Sequence, residues 1–357
     1  MDFGLSEEQQ LLQQTVAQFL GNENDPNQLR ARFDGDEELD RGLWKGMLEL
    51  GLGGLLIPEN YGGAGLTLLD AAVVAETMGH GAAPGPFLNH TLAGLAIALA
   101  GNDAQRERWL PKLAAGDALG TLALAEEGGV WGPEEWQIPS AESLTGEKLY
   151  VPYAEQADVL VVGTAGGGLA LVERGAAGIS VEPFPGADRT RRVAGVSFAD
   201  TPAEVLPGAG AASRLRDAAL VLLAADAFGG ATRCLELSVA YAQTREQFGV
   251  TIGHFQALKH QLANMALEVE PARALYWYAA HAFDNEPEQA ERTAAVAKAH
   301  ITDRFMHVAR EAVEAHGGLG YTWECDVQIW FKRAMFDRTF LGSPAVHRER
   351  AARLADW

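Results

Sequence analysis

Within YAQTREQFGVTIGHFQALKHQLANM (241–265), Arg245 ends a long helical pattern, QFG breaks into a turn, and Phe255–Gln256 restart the next helix. A guanidinium on such a corner can grip a diphosphate through paired, charge-assisted hydrogen bonds. Each bond to a charged group is worth about 1.5–3 kcal/mol. The plainer alternative is a solvated charge offsetting the helix dipole. The second stretch is HGGLGY (316–321), where two adjacent glycines after a helix let the backbone approach a ligand closely. A simple helix C-cap with Gly317 left-handed explains the same residues, and the two readings are compatible. His316 reads as a satisfied structural histidine rather than a catalyst.

These corners need long helices to place them, and the pattern supplies them. SEEQQLLQQTVAQFL carries Leu11, Leu12, Val16, Phe19 and Leu20 at helical spacing, with Ser6 as N-cap. ELDRGLWKGMLELG, LLDAAVVAETMG, NHTLAGLAIALAG and DAQRERWLPKLAAG add further helices, and GGLLIPENYGGAGL is a shaped loop. Near 120 the pattern turns into short β-rich runs between Gly, Pro and Asp turns, an expected antiparallel unit. From 211 the helical period returns, through 213–244, 255–283, 287–316 and about 326–338. The order gives an α+β fold: a helical domain at 1–120, a β domain at 121–210 and a helical bundle at 211–357.

With 357 residues and 48% hydrophobic content, the chain can fill a sizeable core. A net charge of −20 argues against nucleic acid or an anionic membrane as partner, so an anionic ligand needs locally placed cations. Cys234 and Cys325 are expected as free buried thiols on helices, and no zinc spacing exists. MDFGLSEEQQ has no signal-peptide character, and the longest apolar run, AALVLLAA, is short for a bilayer. A cytoplasmic protein is expected.

The order of elements, with YAQTREQFG, EAVEAHGGLGYTWECDVQIWFKRA (311–334), WKGMLELGLGGLLIPENYGGAG and WLPKLAAG, resembles the acyl-CoA dehydrogenase family over nearly the whole chain. The resemblance implies a C-terminal four-helix bundle and FAD as cofactor. It assigns Arg245, Gln247, Phe248, Phe255, Gln256, Gly317 and Gly318 to holding FAD, the Arg corner reaching the FAD of a neighbouring subunit. At least a dimer, by family habit a tetramer, follows, with electron-transfer flavoprotein as acceptor.

The chain also departs from the family. The usual base is a Glu, and ungapped counting from HGGLGY places Leu341 there. The alternative family position falls near Ala219, where Asp217 is the nearest carboxylate, two residues off; a solvated helix-start Asp is its plainer reading. Ala125 stands where relatives carry a flavin-facing Thr, no Ser-Asp follows, and Tyr150 and Pro152 replace an aromatic–Thr/Ser pair. Pro152 cannot donate a hydrogen bond. Glu314 replaces a frequent Gln. The far-end FAD contacts remain while base and hydroxyls are missing, which suggests a non-catalytic subunit paired with a catalytic sister chain. Such enzymes oxidise bulky acyl-CoA thioesters, including steroid side chains. The alternatives are a homomeric dehydrogenase using Asp217, a flavin-free scaffold, or another flavin reaction such as an oxidase.

Overall fold

The computed structural model describes residues 4–355. Its helices are α1 (Glu7–Glu23), α2 (Pro26–Asp34), α3 (Arg41–Glu49), α4 (Leu68–His80), α5 (Phe87–Ala100) and α6 (Asp103–Ala115). Strands follow: β1 (Gly120–Ala123), β2 (Ser143–Pro152), β3 (Val159–Thr164), β4 (Gly168–Glu173), β5 (Ile179–Phe184), β6 (Val193–Pro202) and β7 (Glu204–Leu206). Then come α7 (Ala211–Thr244), the two-residue strands β8 (Glu246–Gln247) and β9 (Val250–Thr251), α8 (Gln256–Val269), α9 (Arg273–Asn285), α10 (Pro287–Ala315), α11 (Val327–Thr339) and α12 (Pro344–Arg353). This is the expected α+β order. Two compact units form: one from residues up to 33, 72–83 and 220 onward, the other from 34–71 and 84–219.

Local rules explain most boundaries. Ser6 and Gln9 form a reciprocal capping box at the start of α1, and Asp40 accepts the Leu43 N–H at the start of α3. Val16 and Leu20 are buried, whereas Leu11 is 65% exposed, so the apolar face of α1 is narrower than its periodicity suggests. The single helix expected over 255–283 is two: Pro271, lacking an N–H, lies in a 3-10 turn at Glu270–Ala272 between α8 and α9. Cys234 lies on α7, but Cys325 lies in the turn before α11; both are free and buried.

The 84–219 unit holds two sheets. One has the order β1-β3-β4-β7, the other β2-β6-β5. The expected all-antiparallel arrangement is wrong at one place: β1 pairs with β3 in parallel, Gly120 opposite Val159. The cause is connectivity, because β2 leaves for the other sheet before the chain returns as β3. Leu144, Val151, Leu160, Val162, Val172, Val196 and Phe198 share one core cluster. A buried cation stiffens this unit. Lys148 on β2 is fully buried, and its Nζ donates to Leu124 O (3.1 Å) and Glu126 Oε1 (2.7 Å). The Glu126 carboxylate also accepts the N–H groups of Gln137 and Ile138, which closes the 126–138 loop.

In the helical unit, backbones of α4 and α7 touch. A Cβ on Gly79 would meet Asp226 O at 1.9 Å, and one on Gly229 would meet Glu76 O at 1.9 Å. Beside this crossing Arg333 of α11 donates through Nε to Asp226 Oδ1 (2.9 Å), both residues buried. Glu76 accepts from the Tyr276 hydroxyl, and burial pushes its carboxyl above the usual carboxylate range. By length and composition α7 could cross a membrane, but 83% of its apolar window is buried, as suits a core helix.

Candidate functional site

The last turn of α7 and the end of α10 meet in one concave site of about 430 Å³. Tyr241, Arg245, Gln247 and Ile252 line it from one side, Ala315 to Leu319 from the other. The Arg245 corner is tightly built. Its N–H donates to Tyr241 O (2.8 Å), and its carbonyl accepts the Ile252 N–H (2.7 Å). Between these bonds β8 and β9 pair as a hairpin, Glu246 opposite Thr251 and Gln247 opposite Val250. Phe248 and Gly249 form its two-residue turn with φ +55° and +79°, the pattern of a type I′ turn. Phenylalanine is poorly suited to that conformation, and its ring is 93% exposed. Glycine or asparagine holds that conformation with less strain.

The glycine turn shows both readings of HGGLGY together. Gly317 is left-handed (φ +59°), and a 3-10 helix runs over Gly317–Tyr321. A Cβ on Gly317 or Gly318 would meet nothing within 4 Å, so this wall is open to a ligand. The glycine with a steric need is Gly320, which the sequence reading passed over: a Cβ there would lie 2.2 Å from Val313 O. His316 is buried, and its Nδ1 lies 2.7 Å from Ala312 O, which makes it a structural donor.

Of the expected residues, the cavity gathers Arg245, Gln247, Gly317 and Gly318. Phe248 lies out on the hairpin, edge-on to Phe255 with centroids 6.0 Å apart. Gln256 opens α8 and shares a hydrogen bond with His260 (2.9 Å). The Arg245 guanidinium is exposed and makes no ion pair or hydrogen bond among the described residues. An unpaired fork, an open glycine wall and a cleft between them fit a diphosphate group such as that of FAD. Tyr241 was not singled out from the sequence; its spacing of four from Arg245 was the available signal.

Neither candidate base position offers a free carboxylate. Leu341 is buried and left-handed (φ +60°). Its carbonyl accepts from His347 Nε2 (2.8 Å), and the next carbonyl, Gly342 O, accepts from Lys298 Nζ (3.1 Å). Lys298 also donates to Asp337 O (2.7 Å) and Arg338 O (3.3 Å), and burial pulls its pKa down to about 7. The loop around Leu341 is therefore pinned from two helices. Asp217 is buried rather than solvated: its Oδ1 accepts from Arg216 Nε (3.0 Å) and Nη2 (2.8 Å). On the β unit, Ala125 and Pro152 are buried, and Tyr150 (φ +53°) stacks on Trp131 with centroids 6.1 Å apart. Among the described residues no group of three or more His, Cys, Asp or Glu side chains is placed to hold a metal.

Comparison with known proteins fits this arrangement. The models for the N-terminal and C-terminal domains of acyl-CoA dehydrogenases match residues 6–117 and 211–355. The chain belongs to the acyl-CoA dehydrogenase family, oxidoreductases acting on acyl-CoA whose members are FAD-dependent flavoproteins. It is similar to the acyl-CoA dehydrogenase IpdE2 of Mycolicibacterium smegmatis, 36% identical over 355 residues and 98% of each chain. A variant of the Tcur3481–Tcur3483 steroid ACAD matches with a TM-score of 0.91 at 32% identity, over 98% of both chains. A chain of the ChsE4–ChsE5 complex from Mycobacterium tuberculosis matches with a TM-score of 0.90 at 27% identity, over 100% of this chain and 99% of that one.

Proposed function

We propose that this chain is the FAD-clamping, non-catalytic subunit of a heteromeric acyl-CoA dehydrogenase acting on a bulky acyl-CoA such as a steroid side chain. The observation that carries the reading is that Arg245 and the open Gly317–Gly318 wall share one cleft, while Leu341, where ungapped counting from HGGLGY puts the family's base, carries no carboxylate. Bound FAD supplies the hydride acceptor for α,β-desaturation of the thioester. Arg245 holds the diphosphate, and the glycine turn lets that group come close to the backbone. Phe248 and Phe255 present apolar rings at the hairpin for a partner to cover. The α-proton is taken by a carboxylate of the catalytic sister chain. The similarity to a steroid ACAD and to a two-component complex supports both the substrate class and the pairing. Electron-transfer flavoprotein is the acceptor that goes with this reading.

The competing homomeric reading asks Asp217 to act as base, and Arg216 already occupies one of its oxygens. Asp217→Asn in the purified assembly tests the choice. The heteromeric reading expects a rate on acyl-CoA within about twofold of the native enzyme. Loss of a general base costs about 10²–10⁴-fold, and a fall of that size with the fold and flavin retained overturns it.

A further inference from the structure

We propose that Tyr241 is a further binding residue of the Arg245 clamp, its phenolic hydroxyl donating a hydrogen bond to the same diphosphate. The proposal rests on reading the cleft as the FAD site and adds a residue that the motif alone does not assign. Tyr241 lies in the last turn of α7 and Arg245 directly follows its end, four residues on, with the bond between Arg245 N–H and Tyr241 O (2.8 Å) keeping the spacing helical. Their side chains therefore leave the helix on one face, and both line the cleft.

The phenol is held ready. Its ring lies against the His316 imidazole, with centroids 4.5 Å apart and planes 22° from parallel. That imidazole is itself fixed through Nδ1 to Ala312 O. Tyr153, Tyr276 and Tyr278 spend their hydroxyls on Thr190 O, Glu76 and Glu286. The Tyr241 hydroxyl makes no such bond among the described residues. A fixed ring that lines the cleft and carries a hydroxyl without a hydrogen bond among the described residues is a binding group in search of an acceptor.

Electrostatics gives the donor its purpose. α7 ends at Thr244 and α10 at Ala315, so two helix C-termini, each with about half a negative charge, border the cleft. A diphosphate there meets carbonyl ends, and Arg245 supplies one positive charge against them. A neutral O–H donor adds attraction to the phosphate oxygens at no cost in side-chain ordering, because the stack on His316 has already fixed the ring.

Tyr241→Phe removes the hydroxyl and keeps the ring on His316. Flavin-fluorescence titration of the apo assembly is expected to show about tenfold weaker FAD binding, with an unchanged apo melting temperature. FAD affinity within twofold of native overturns the proposal. Arg245→Ala run in parallel separates the two levels. If it loses flavin while Tyr241→Phe does not, Tyr241 alone is misassigned; if neither does, the cleft is not the FAD site. Coenzyme A carries a diphosphate too, and its affinity is expected to be equal in native and Tyr241→Phe assemblies. A tenfold loss confined to coenzyme A contradicts the flavin assignment.

Discussion

Arg245→Ala is the perturbation whose size follows most directly from the structure. The guanidinium is exposed and bonds to nothing among the described residues, so its removal leaves stability within about 0.5 kcal/mol of native. Its cost falls on the ligand. Two charge-assisted hydrogen bonds at about 1.5–3 kcal/mol each set a range of about 3–6 kcal/mol. Solvent screening at this open corner favours the lower end, about 3 kcal/mol, or roughly a hundredfold in affinity. Arg245→Lys keeps the charge and loses the fork, and falls between at about tenfold. The assay is flavin absorbance per protein after gel filtration of the assembly, followed by FAD titration of the stripped protein. Unchanged flavin in Arg245→Ala refutes the clamp. A drop of many degrees in the apo melting temperature refutes it as well, since it would reveal a structural role that the free guanidinium does not show.

Two further outcomes follow from strained or buried groups. Phe248→Asn places a residue tolerant of positive φ in the hairpin turn and relieves about 1 kcal/mol of backbone strain. Thermal melts should show a slightly more stable apo protein while flavin retention falls; an unchanged flavin content would mean that the exposed ring serves something else. Lys298, with its pKa pulled to about 7 by burial, binds fewer protons folded than unfolded between about pH 7 and the ordinary lysine value near 10.4. Stability from this group therefore rises with pH across that window. The native protein should gain on Lys298→Met in melting temperature from pH 7 to 10, and a steady or shrinking gap counts against the burial argument.

The elements were legible where local chemistry decides them. Ser6 marks a helix start in the sequence and caps α1 in the structure. The parallel β1–β3 pairing was not legible, because it depends on which sheet β2 joins. Nor was β7, three residues long and recognisable only by its pairing with β4. Within the site, Arg245 and the glycine pair stood out by type and spacing. Tyr241 did not, because a tyrosine on a helix is ordinary until its ring is seen against His316. Asp217 reads as a solvated helix-start charge in sequence, and only the fold buries it against Arg216. Lys148 and Lys298 carry no motif, since a buried lysine is defined by the carbonyls and carboxylates that tertiary structure brings to it.

In the proposed assembly this chain contributes a clamp and a partner contributes the base. Expressing the chain alone and with its catalytic sister, then recording native mass together with flavin absorbance per subunit, tests it most directly. A lone chain without bound flavin and a mixed assembly with one FAD for each pair of chains are expected. A lone chain that is a yellow homo-oligomer with one FAD per subunit, bleached by an acyl-CoA, contradicts it.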